Sequence, residues 1–141
     1  GVNANPAGIA KAAALERCIA RVAEEYEDDP ANLRDQRRQD ALILNVLRAC
    51  ETSIDLAMLE IARRRLGTPQ SSRDAFQMLR DAGVLEANLA EALGKMVGFR
   101  NLAVHEYQRI DLAVLQAIVE QRLGDFRRLL KALHLRGPGP A

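Results

Sequence analysis

The stretch LEANLAEALGKMVGFRNLAVHEYQRID, Leu85 to Asp111, decides the fold. Its apolar residues Leu85, Leu89, Ala92, Leu93, Met96, Phe99 and Ala103 recur three and four apart, the period of one buried helix face. Arg100 falls inside that stripe, and a guanidinium there needs an anion or a route by which its head reaches water. Asn101 and His105, four apart, share a different face. Tracing that face backward meets Gly98 and then Gly94. Each glycine costs roughly 1 kcal/mol against alanine in a helix interior, so close approach of a backbone or a ligand is expected there.

The same period extends in both directions along the chain. Aromatic residues make up 4% of the sequence and β-branched runs are short, so strands are not expected and the fold class is all-α. A first helix is expected from about Ala7 to Tyr26, with Ile9, Ala13, Cys18, Ile19 and Val22 inward. Glu27-Asp28-Asp29 and Pro30 end it and open a second helix, from about Pro30 to Leu66, which stops at Gly67 and Pro69. Ser71-Ser72-Arg73-Asp74 has capping-box spacing and starts a short third helix that ends at Gly83. The fourth runs from about Glu86 into the quoted motif. Asp111 is the expected N-cap of a fifth, which carries Leu112, Leu115, Ile118, Val119, Leu123, Phe126, Leu129, Leu130 and Leu133. The expected architecture is an antiparallel bundle of four to five helices.

A chain of 141 residues with 48% hydrophobic content suits one compact domain, read here as residues 7–135 between a flexible segment 1–6 and a disordered tail 136–141, RGPGPA. No run approaches the roughly 18 apolar residues of a membrane span, and no signal pattern opens the chain, so a soluble, cytoplasmic protein is expected. Cys18 and Cys50 lie far apart on helical patterns and read as small core residues. The formal net charge of +1 is far from the strongly basic signature of a dedicated nucleic-acid binder, although 17 of the 20 basic residues are arginines, whose planar fork suits phosphate.

On the second helix Leu42, Leu44, Val46, Leu47, Cys50, Ile54 and Met58 cover more of the circumference than one core contact requires. The helix is therefore expected to face its own core and something else. Glu51 sits inside that band with Asp55 at its edge, and a carboxylate on an apolar face is either paired or functional. His105 and His134 are the only histidines and neither has a cysteine nearby, which leaves no metal-ligand pattern. Gly-rich phosphate loops and serine nucleophile turns are also absent from the sequence.

RNLAVHEY, Arg100 to Tyr107, resembles the Arg-x4-His-x-Tyr motif of HEPN-domain toxins of the HepT type, and the flanking RDAFQMLRDAGVL and KMVGFRNLAVHEY are similar to the same family. The resemblance covers the helix order from about residue 9 to 134. It implies a HEPN-like fold in a two-fold homodimer and a metal-independent endoribonuclease acting on RNA, the toxin of a type VII-like toxin–antitoxin pair. Arg100 and His105 would be catalytic, with Asn101 orienting His105 or the phosphate, and Glu51 and Asp55 in support. It further implies a minimal nucleotidyltransferase antitoxin that uses ATP and magnesium to place AMP on Tyr107, the toxin itself needing no cofactor. The alternative is a catalytically inactive HEPN dimer that binds a nucleotide or a partner.

Overall fold

The computed structural model describes residues 5–135, so the expected C-terminal tail and residues 1–4 lie outside the described residues. Asn5 and Pro6 are not a flexible lead-in. The Asn5 side chain accepts the Ala7 amide at 3.1 Å and Pro6 takes the first helical position, so α1 (Pro6–Tyr26) begins one residue earlier than expected. Glu27 ends it in the left-handed region at φ 50°.

The expected helix from Pro30 to Leu66 is broken near its start. Asp29 caps only a 3-10 turn, Pro30–Leu33, and α2 (Gln36–Arg64) begins afresh after Asp35. The Asp35 carboxylate takes the amides of Arg37 and Arg38 at 3.0 and 3.3 Å, so the side chain, not the preceding carbonyls, satisfies the first turn. After α2, Gly67 turns the chain at φ 113°. Ser71 Oγ accepts the Asp74 amide at 3.0 Å while Asp74 reaches back to the Gln70 amide at 2.8 Å, which starts α3 (Ser72–Asp81) as the spacing predicts. α4 (Ala87–His105) follows, then one 3-10 turn, Tyr107–Arg109.

Asp111 caps α5 (Leu112–Ala117) through the Ala113 amide at 2.8 Å. The single last helix read from the sequence is realised as α5, a π-helical turn over Ile118–Arg122, and α6 (Leu123–Ala132). Leu115 and Phe126, one on each side of the wide turn, both reach the core, while Leu112 stays 36% exposed.

Side-chain contacts fix the directions. Lys11 pairs with Asp55 at 2.8 Å near one end of α1 and Arg38 with Glu27 at 3.0 Å near the other, so α1 and α2 run antiparallel. The beginning of α3 lies against the later half of α4, and Arg128 of α6 approaches Glu86 at the start of α4 at 3.8 Å. Phe76, Phe126, Leu15, Ile19, Leu42, Leu56, Ile61 and Leu93 are fully buried among these helices. Ile9, expected inside, is 48% exposed, because its flank of α1 has no helix over it. No strand occurs among the described residues, and no helix is long and apolar enough to cross a membrane.

Candidate active site at the end of the fourth helix

Leu89, Leu93, Met96, Phe99 and Ala103 of α4 are buried, and Arg100 is drawn half inside with them. One guanidinium nitrogen donates to Ser72 Oγ at 3.0 Å, which ties α4 to the first residue of α3. Arg100 Nε is shut off from water and has no hydrogen-bond partner. A half-buried guanidinium with donors left unpaired is suited to an anionic acceptor at its solvent-facing side. Burial pushes the Cys50 thiol of α2 up to about 12, against which the Arg100 charge pulls it down, while Glu51 pushes it further up.

His105 is the last residue of α4 and exposed, and its imidazole makes no hydrogen bond to other described residues. Five residues from Arg100, it lies about 140° around the helix and roughly 7.5 Å along it. Asn101 is exposed on the same face as His105. One chain therefore presents an anchored cation and, on an adjacent flank, a solvent-facing imidazole beside an amide.

The glycines upstream have a partner within the chain. Arg73 lies across Gly94, donating from Nε to its carbonyl at 3.1 Å, and its Cγ stands 3.4 Å from where a Gly94 Cβ would be. The close approach expected at this face is made by the Arg73 side chain at Gly94, while Gly98 remains exposed. Arg73 and Ser72 were invisible as site residues in the sequence, where they read only as the opening of α3.

Tyr107 stands in the 3-10 turn after α4, 43% exposed, and its hydroxyl donates to Asp40 Oδ1 at 2.6 Å. Burial of the hydroxyl, then the hydrogen bond to Asp40 and the Asp40 charge, push its pKa up to about 12. Nothing about Asp40 in the sequence distinguishes it from the other exposed carboxylates.

Glu51 and Asp55 are not joined to Arg100 within one chain. Both are exposed and line a groove of about 470 Å³ between α1 and α2, with Arg17, Arg21 and Arg48. Asp55 is paired with Lys11, and Glu51 makes no hydrogen bond or ion pair among the described residues. A second, mostly apolar cleft of about 450 Å³ between α4 and α5 includes Met96, Phe99, Leu102 and Val114 but neither Arg100 nor His105. No cluster of three His, Cys, Asp or Glu side chains that could hold a metal ion occurs among the described residues.

Comparison with known proteins shows the family. Residues 14–133 match the family model described as Ribonuclease HepT-like. The chain is 39% identical over 125 residues to the mRNA nuclease HepT of Shewanella oneidensis, covering 89% of this chain and 94% of that protein. It is 25% identical over 103 residues to a putative RNase of Archaeoglobus fulgidus, covering 73% and 77%. Among solved structures, the tri-AMPylated Shewanella oneidensis HEPN toxin in complex with its MNT antitoxin superposes with a TM-score of 0.86 at 38% identity, over 92% of this chain and 97% of that one. A toxin–antitoxin structure with AMP-PNP gives 0.85 at 37% identity over 92% and 98%. The chain belongs to the HepT-like ribonuclease family.

Proposed function

We propose that this chain is the toxin of a toxin–antitoxin pair, a homodimeric endoribonuclease that cleaves RNA without a metal ion and is neutralised by AMP on Tyr107. The observation that carries the reading is Arg100, half-buried, held by Ser72 and unpaired at Nε, five residues before an exposed, unengaged His105.

Cleavage of RNA by its own 2′-hydroxyl requires a proton taken from that hydroxyl, a proton given to the departing 5′-oxygen, and compensation of the charge on the phosphorane-like transition state. In the proposal Arg100 meets the phosphoryl oxygens, His105 moves protons, and Asn101 orients the imidazole or the phosphate. A single histidine serves one proton transfer at a time, so a two-fold dimer that brings two copies together completes the acid–base pair.

The register between α2 and α4 supports such a dimer. Asp40 meets Tyr107, and the Arg100 charge is felt at Cys50, so Leu44 and Val104 fall between these two contacts. They are 43% and 50% exposed, an apolar patch flanked by the proposed site residues. Glu51, one to two turns further along α2, would then lie near the partner's site, where it could position Arg100; Asp55 follows one turn later. The antitoxin in this proposal is a nucleotidyltransferase that uses ATP and magnesium; the AMP-PNP complex of a related pair supports the nucleotide. AMP on Tyr107 adds a phosphodiester charge and a base two residues from His105, where RNA should lie.

The test is RNA cleavage by purified, unmodified protein in the presence of excess chelator. Cleavage that persists supports the reading; cleavage that stops with chelator and returns with a divalent ion defeats metal independence, and no cleavage at all favours an inactive binding dimer.

A further inference from the structure

The contact between Tyr107 and Asp40 does more than anchor a turn. It spans 67 positions of sequence and joins the 3-10 turn after α4 to the second turn of α2 with a 2.6 Å bond from phenol to carboxylate. The same Asp40 oxygen accepts the Gln36 side-chain amide at 2.9 Å from one turn earlier, which fixes the carboxylate in place. Asp40 takes part in no ion pair among the described residues, although Arg38, two residues before it, is paired with Glu27. Its Oδ1 is therefore engaged by the phenol and the Gln36 amide, with no cation in direct contact among the described residues. The ring keeps 43% exposure, so a nucleotide can approach it from solvent, and the carboxylate borders an open cavity of about 870 Å³ that Glu25, Asp35, Gln36, Arg37 and Arg38 also line.

We propose that Asp40 is the general base for AMP transfer to Tyr107, so that the modified chain itself supplies the proton acceptor for its own modification. This rests on the reading of Tyr107 as the AMP acceptor. The Tyr107 oxygen attacks the α-phosphorus of a nucleoside triphosphate held by the antitoxin. As the new P–O bond forms, the bond to the bridging α–β oxygen breaks and the electron pair leaves with pyrophosphate. The phenolic proton passes to Asp40 Oδ1 and from there to water, leaving a tyrosyl phosphodiester.

The chemistry favours a carboxylate in this place. A phenol that stays protonated at neutral pH is a poor nucleophile until an acceptor takes its proton, and its acidity rises steeply as the bond to phosphorus forms, so a weak base within hydrogen-bond reach is sufficient. The product is also disfavoured at the starting position. Once Tyr107 carries AMP it has no proton to donate, and its phosphodiester charge faces the Asp40 carboxylate, so the contact that oriented the phenol releases the adduct.

The experiment compares the full-length parental chain with Asp40→Asn, Asp40→Ala and Asp40→Glu, each incubated with α-labelled ATP, magnesium and the nucleotidyltransferase antitoxin. Label and mass gain on the Tyr107 peptide are followed against time and pH. Asparagine keeps an acceptor for the phenol but cannot take its proton, so Asp40→Asn should be slowed on the order of 10²-fold or more, as far as Asp40→Ala. The parental rate should rise with pH along an acid limb that Asp40→Asn lacks and Asp40→Glu partly restores. Equal thermal midpoints show that the variants are folded. An Asp40→Asn chain modified at the parental rate, with the parental pH profile, overturns the role of Asp40 alone. A parental chain left unmodified at Tyr107 overturns the acceptor assignment and this inference together.

Discussion

Arg100 and Ser72 are joined across 28 positions of sequence by a 3.0 Å hydrogen bond that holds the guanidinium at the mouth of the α3–α4 contact. Hydrogen bonds to charged groups are worth about 1.5–3 kcal/mol, and each 1.4 kcal/mol is about a factor of ten. Ser72→Ala should therefore slow RNA cleavage roughly tenfold or more while the chain stays folded, and Ser72→Thr should recover part of the loss. A Ser72→Ala enzyme at full rate would show that Arg100 does not depend on this anchor.

Arg100→Ala and His105→Ala remove the proposed transition-state groups themselves. Each should lower cleavage on the order of 10²–10⁴-fold and relieve growth inhibition, with far-ultraviolet dichroism unchanged. Parental cleavage by either variant would move the active site elsewhere.

Tyr107→Phe removes the acceptor oxygen and the bond to Asp40 together. The variant should cut RNA, carry no AMP on the Tyr107 peptide by mass spectrometry, and inhibit growth even with the antitoxin co-expressed. If the antitoxin still suppresses it, neutralisation works by covering the site and not by modification.

Leu44 of α2 and Val104 of α4 are exposed apolar residues, which the proposed dimer would cover. Light scattering should find a dimer at micromolar concentration, and Leu44→Asp should shift it toward monomer with loss of cleavage, since charge at an apolar interface is costly to desolvate. A parental monomer, or a Leu44→Asp dimer as tight as the parent, would remove this face from the assembly.

Glu60 gives a pH prediction. It is 3% exposed and accepts from Arg63 at 2.7 and 3.0 Å and from Arg64 at 2.6 Å. Burial by itself raises its pKa, but the hydrogen bonds from Arg63 and Arg64 and their charges outweigh burial and hold it below the ordinary 4.5. A depressed folded-state pKa contributes stability that is present above the unfolded value and lost as pH falls through the folded one. Urea midpoints measured from about pH 7 down to about pH 3 should fall below roughly pH 4.5, and Glu60→Gln should be less stable at pH 7 with a shallower acid loss. An unchanged acid profile in Glu60→Gln would assign that loss to other carboxylates.

What the sequence determined by itself is what is decided within a turn or two of helix. Ser71 and Asp111 cap helices because a side-chain oxygen meets an amide two or three residues on, Gly83 ends α3 at φ 76° because glycine tolerates that conformation, and the apolar stripe of α4 follows from its period. The Arg-x4-His-x-Tyr spacing is local too, and it carried the family. Local signals also misled where two competed: Pro30 permits a helix start, yet the Asp35 carboxylate captured the amides that begin α2. Periodicity marked Ile9 as inward because it reports which face is apolar and not whether another helix covers it. Only the tertiary structure brought Ser72 to Arg100, Arg73 to Gly94 and Asp40 to Tyr107, across 28, 21 and 67 positions. Those contacts depend on how whole helices pack, and packing is fixed by the summed burial of the core, so no pattern at the residues themselves announced them.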